Sequence, residues 1–356
     1  MKADFTKKLM RWNRVENKRE MPWKAEKDPY KIWLSEIILQ QTRVEQGTAY
    51  YERFIAAFPT LEALALAPEK QVFKLWEGLG YYSRCKNLIH TAALLHRDRN
   101  GKFPETYTGL LELKGIGSYT AAAISSFAFN LPHAVVDGNV FRVLSRYFGI
   151  NTPVDTSSGK TLYNSLAASL LDTSDPGGYN QAIMDFGATI CKPKQPLCSQ
   201  CPQQKDCRAL ALGEVAALPV KEKSIKKTHR WFFYFIVETG DNVLIHKRPA
   251  GDIWENLYEF VLHEMPGNEV PDTSRLTPIL KKVFGEPVKI KTISPVFRQQ
   301  LTHQQLAGQF ITVSCDQIPA TLRQYLAVRK SSLGDYPFPR FISNWLQQGG
   351  QAGQLF

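Results

Sequence analysis

At 356 residues the chain is too long for one small core and suggests about two domains. Its 44 Lys and Arg against 33 Asp and Glu leave a formal net charge of +11, which favours a polyanionic partner such as nucleic acid, although charge alone fits a merely basic protein equally well. The charged stretch 1–14 has no apolar signal-like segment and no apolar run approaches membrane-spanning length, so secretion and membrane insertion are not expected and the chain reads as soluble and intracellular.

A basic helix is expected over 6–15, followed by Met21-Pro22-Trp23-Lys24. Asp28-Pro29 marks a helix start, because proline in the first turn loses no hydrogen bond. The helix over 30–41 places Trp33, Leu34, Ile37 and Ile38 on one apolar stripe. Glu36 falls off that stripe on the side of Gln40, where a glutamate is usually solvated. Further helices are expected over 42–58, 61–75, 87–97 and 106–113. Between the fourth and fifth, Gly78-Leu79-Gly80-Tyr81-Tyr82 is a glycine-flexed turn whose aromatics suit wedging between bases, or plain packing. Gly115-Ile116-Gly117 then makes a sharp hairpin whose glycines tolerate positive φ. The next helix, over 121–129, presents its positive end and unpaired N–H groups beside that turn, as a phosphate requires. A strand-like apolar run ends at Asp137, and helices follow over 141–148, 159–171 and 179–190.

Four of the six cysteines, Cys191, Cys198, Cys201 and Cys207, crowd one short stretch, and clustered thiols in a reducing compartment point to a metal. Zinc sites usually pair two C-x2-C knuckles around a longer insert. The uneven C-x6-C-x2-C-x5-C spacing wraps one larger object, so a [4Fe-4S] cluster fits better, with zinc as the alternative. Beyond it, 214–230 is a basic, proline-marked linker. From Trp231 the pattern changes to strands over 232–239, 243–247, 288–292 and 309–314, with helices over 273–283 and 339–347.

Six segments in one order carry a resemblance: Trp33–Val44, Gly78–Arg84, Leu113–Thr120, Val136–Val143, Met184–Cys191 and the four-cysteine loop. Together they resemble the adenine-DNA glycosylases of the MutY type, in the helix-hairpin-helix superfamily that includes endonuclease III. Arg248–Phe260 resembles, more loosely, that family's MutT-like (Nudix-type) domain. The resemblance implies an all-α helix-hairpin-helix glycosylase domain with an iron–sulfur loop over 1–213, plus an α/β Nudix-like domain over 231–356. Within the first, it implies a six-helix module over 29–137 and a cluster module made of 1–28 and 138–213. It further implies a bacterial cytoplasmic, nucleoid-associated monomer carrying one [4Fe-4S] cluster, acting on double-stranded DNA with A opposite 8-oxoguanine or G.

By resemblance Glu36 is the general acid, Asp137 stabilises the oxocarbenium-like sugar, and Tyr119 and Asn139 orient them. Two carboxyl groups in different protonation states are what glycosidic cleavage needs. Trp23, Lys24 and Asp185 match the adenine pocket, though a lysine makes only point contacts where a guanidinium is bidentate. Gln41, Thr42, Leu79 and Tyr81 match positions at the lesion, and Gly115 and Gly117 a phosphate site. Leu301-Thr302-His303 stands where the family commonly has Phe-Ser-His, so the hydroxyl and imidazole are kept and the aromatic wedge is lost. The lyase branch of the superfamily has lysine at the Tyr119 position; a phenol cannot form an imine, so a monofunctional enzyme is expected. The competing expectations are a bifunctional pyrimidine-damage glycosylase and a non-catalytic iron–sulfur DNA-binding module, and the second leaves the pairing of Glu36 with Asp137 unexplained.

Overall fold

The computed structural model describes residues 2–222, 226–267, 276–285 and 287–351. Its contacts divide the chain into Met1–Leu66 with Lys86–Lys223, and Ala67–Cys85 with Ser224–Phe356.

The first unit is helical. In chain order come α1 (Lys2–Val15), α2 (Pro29–Leu39), α3 (Val44–Ala57) and α4 (Leu61–Ala65). After α5 (Glu69–Trp76), which belongs to the second unit, come α6 (Tyr82–Arg99), α7 (Tyr107–Leu111), α8 (Ser118–Phe129), α9 (Gly138–Phe148), α10 (Ser157–Leu170), α11 (Pro176–Thr189) and α12 (Arg208–Ala211). The single helix expected over 61–75 is two: Pro68 cannot donate within a helix, and α5 starts directly after it. One core joins Phe5, Leu9 and Trp12 of α1 to Val140 and Leu144 of α9, Tyr163 of α10 and Phe186 of α11. The stretch read as linker begins packed on this unit: Leu218 is buried, Val154 N donates to Val220 O at 3.1 Å, and Glu222 N donates to Asp155 Oδ1 at 3.0 Å.

The second unit is built on a mixed sheet: β1 (Thr228–Thr239), β2 (Asn242–Lys247), β3 (Tyr258–Glu259), β4 (Val261–Pro266), β5 (Lys289–Ile293), β6 (Phe297–Gln300), β7 (Gln304–Ser314) and β8 (Leu326–Arg329), with α13 (Leu276–Phe284) and α14 (Arg340–Gln351). The path runs β3-β2-β1-β7-β5, with β4 on β1, β6 on β7 and β8 on β2. β1 lies parallel to β7, with Phe233 opposite Gln309. Side chains alternate across a strand, so Trp231, Phe233, Phe235 and Val237 of β1 join Leu276, Ile279 and Phe284 of α13 in one core. Phe232 and Tyr234 meet Phe341 of α14 instead. Both faces are buried, hence the unbroken apolar run. The Arg248–Phe260 motif forms a buried network in which Arg248 pairs with Glu259 and Asp252, while the Tyr234 hydroxyl donates to Glu259 at 3.0 Å. α13 carries no Asp or Glu, so it offers no carboxylate to a magnesium ion.

Candidate active site

α2 supplies the first wall. The Asp28 carboxylate accepts from Tyr30 N and Pro29 takes the first turn, which fixes where the helix begins. α3 and α8 pack against α2. Glu36, which the sequence pattern put on the solvated side, is therefore only 5 % exposed. An apolar stripe identifies one buried face; it does not show that the opposite face is free.

The second wall is the N-terminus of α9. The run 131–137 forms no regular secondary structure and pairs with no strand. A fully buried asparagine substitutes for a ladder: Asn180 Oδ1 accepts from Val135 N at 3.1 Å, and Nδ2 donates to Ser126 Oγ at 2.9 Å and His133 O at 2.8 Å. Asp137 then caps α9, accepting from Val140 N at 2.8 Å and from Asn139 Nδ2 at 2.7 Å. Arg142, one turn on, donates to Asn139 Oδ1 at 2.8 Å, Gly187 O at 2.7 Å and Cys191 O at 2.8 Å. Sequence reasoning missed Arg142, whose meaning depends on carbonyls some 45 positions away.

Glu36, Tyr119, Asp137 and Asn139 line one cavity of about 400 Å³, together with Trp23, Lys24 and Thr42. Burial pushes the Glu36 carboxyl up to about 7, the Tyr119 hydroxyl donates to it and opposes the rise, and the charge of Asp137 adds to it. Burial also raises Asp137, held back by the Val140 and Asn139 N–H groups. Tyr119 is raised well above the ordinary phenol range, by burial first and then by the two carboxylates, so it stays a donor. Two acids with different surroundings thus face one space, which is the arrangement that separates a proton donor from a stabilising anion. A larger, more open depression of about 630 Å³ beside His96 and Lys102 has no buried pair of acids: its Asp28 is occupied in capping α2, and its Glu62 and Glu105 are exposed.

Asp185 lies beneath this cavity, fully buried. It accepts from Arg19 Nη1 at 2.8 Å, Lys24 Nζ at 3.1 Å, Asn17 Nδ2 at 2.8 Å and Gln181 Nε2 at 2.9 Å. Arg19, which also lines the cavity, went unnoticed in the sequence. Lys24 is thus not the only cation there, and the signal was a buried acid that needed more than one donor.

In the hairpin Gly115 has φ +84°, and a Cβ there would lie 2.7 Å from Asn87 Cβ. Gly117 differs from expectation: its φ is −92° and ψ −179°, extended backbone that needs no glycine. Gly117 instead leaves open space over the first turn of α8, whose N-cap makes no side-chain hydrogen bond. Gln41 is exposed, with φ +58°. In the second unit Leu79 is buried, whereas Tyr81 is 41 % exposed at φ +49°. Leu301, Thr302 and His303 form the turn between β6 and β7, closed by Leu301 N to Gln304 O at 2.8 Å. There the Tyr81 hydroxyl meets Thr302 Oγ1 at 2.6 Å.

All four loop cysteines are free thiols lining one small, mostly apolar cavity. Among the described residues no three Cys, His, Asp or Glu side chains gather closely enough for a single metal ion. Four thiols on one cavity are a donor set that an iron–sulfur cluster fits.

No helix among the described residues is long and apolar enough to cross a membrane. The family model for HhH-GPD superfamily base excision DNA repair proteins matches residues 34–164, and that for the NUDIX domain residues 233–348. An adenine DNA glycosylase of Buchnera aphidicola subsp. Baizongia pistaciae is 34% identical over 307 residues, covering 85% of this chain and 84% of that protein. A solved thermostable thymine-DNA glycosylase superposes with a TM-score of 0.55 at 28% identity, covering 59% of this chain and 97% of that one. An endonuclease III–DNA complex shares the fold at TM-score 0.52 and 20% identity, covering 60% of this chain and 98% of that one. With two carboxyl groups on one cavity of the helical unit, and similarity that extends through the Nudix-like unit, the chain belongs to the adenine DNA glycosylase family.

Proposed function

We propose that this protein extrudes adenine paired with 8-oxoguanine, or with G, from duplex DNA and hydrolyses its N-glycosidic bond, leaving an abasic site. The observation that carries the reading is the shared cavity of Glu36 and Asp137, with Glu36 raised to about 7 by burial. A base inside the duplex is out of reach, so the nucleotide must enter that cavity. Glu36, protonated near neutral pH, gives its proton to the departing purine ring. Asp137 stays ionised beside the sugar as positive charge develops, held in place by Asn139 and Val140. Tyr119 orients Glu36 by donating to it and offers no amine, so strand cleavage does not follow. Gly115 and Gly117 hold a backbone phosphate; Gln41, Thr42, Leu79 and Tyr81 meet the lesion, and the Leu301-Thr302-His303 turn reads 8-oxoguanine.

Cys191, Cys198, Cys201 and Cys207 would hold a [4Fe-4S] cluster, which when bound cross-links the loop that follows α11. The fit rests on four free thiols around one apolar space. The test is base release from a duplex with A opposite 8-oxoguanine, with G, T and C opposite as controls. Wild type should release adenine from the first two, and Glu36→Gln should still bind the duplex but release no base. A Glu36→Gln protein that retained base release would sink the reading.

A further inference from the structure

We propose that Arg146 sets the electron affinity of the group held by the four cysteines, by donating to one thiolate and by keeping a positive charge in the wall of its cavity. This rests on the cluster reading above. Arg146 lies on α9, one turn beyond Arg142, and is 3 % exposed. Its Nη1 lies 3.5 Å from Cys191 Sγ and also donates to Lys192 O at 2.8 Å. Nη2 donates to Pro193 O at 3.2 Å and Nε to Leu218 O at 3.1 Å. Every oxygen partner is a neutral carbonyl, and among the described residues no carboxylate forms an ion pair with it. The charge therefore stays uncompensated from the protein side. Apart from the cysteines and Gln204, the rest of the cavity wall is Ile190, Pro196, Leu197, Leu210 and Val215. In such surroundings a nearby cation is screened less than it would be in water.

A cluster ligated by four thiolates is anionic, and each added electron makes it more so. A buried guanidinium and an N–H···S hydrogen bond both favour the more negative state, so both raise the reduction potential. Arg142 differs in contact: it donates to the Cys191 carbonyl and not to the sulfur, so its charge reaches the thiolate only through space.

The test uses the purified full-length protein, with Arg146→Met and Arg146→Lys beside wild type. Iron and acid-labile sulfide are counted first, and the potential of the cluster couple is then read at an electrode. Arg146→Met should shift the potential negative, and Arg146→Lys should lie between it and wild type, because the charge is kept and the planar fork lost. An unchanged potential in a fully loaded Arg146→Met protein overturns the proposal. Loss of the cluster from both variants also overturns it, in favour of a purely folding role; loss from Arg146→Met alone leaves Arg146→Lys to decide, by a negative shift or none. Wild type carrying one zinc, or no iron, would instead sink the cluster reading and is recognised at the iron count.

Discussion

Glu36→Gln should stabilise the protein at neutral pH while abolishing base release. In the fold Glu36 takes up its proton far more readily than in the unfolded chain, its pKa rising from 4.5 to about 7. Below about pH 4.5 both states are protonated and the burial carries no ionisation penalty. As pH rises further the unfolded state ionises first, so stability from this group falls until about pH 7 and then levels off. That interval corresponds to about 3 kcal/mol. The substituted amide would have the same shape, would still accept from Tyr119 and could not ionise. Urea denaturation of wild type and variant across this range should show the variant's advantage growing by about 1.4 kcal/mol per pH unit, then reaching a plateau. A difference that does not change with pH would refute the claim that burial raises this carboxyl.

Gly115→Ala should destabilise the protein by about 1–2 kcal/mol, since φ is +84° and the new methyl meets Asn87; denaturant melts test this, and DNA affinity should drop at every salt concentration. Asp185→Ala should cost about 3 kcal/mol in the same melts, because it strands Arg19 and Lys24 around a buried gap. Tyr119→Lys places an amine in the cavity and should gain borohydride-trappable adducts with DNA, which wild type should not form to any useful extent.

What could be read from the chain followed the range of each interaction. Asp28-Pro29 is local chemistry, and α2 begins there. The apolar run of β1 is also local, but its first three residues were assigned to the linker. Thr228, His229 and Arg230 are polar and become strand through Gln304, Gln305 and Leu306 of β7, about 76 positions later, with Pro266 of β4 also opposite Arg230. β6 and β8 are four-residue strands, too short to show a period, and β6 is mostly polar as well. Glu36 drew attention through its family motif, whereas its burial depends on α3 and α8 closing over both sides of α2. Arg19 and Arg142 were invisible for the same reason, since a cation's role is set by the acid or carbonyls it meets in the fold.

The division of labour between Glu36 and Asp137 is tested most directly by single-turnover base release measured from mildly acidic to mildly alkaline pH. The rate should fall as pH rises through about 7, where Glu36 gives up the proton it must donate. On the acid side it should fall where Asp137 takes one up, above the ordinary aspartate value of 3.8. A rate that stays level or climbs across neutrality would contradict the assignment of Glu36 as the proton donor.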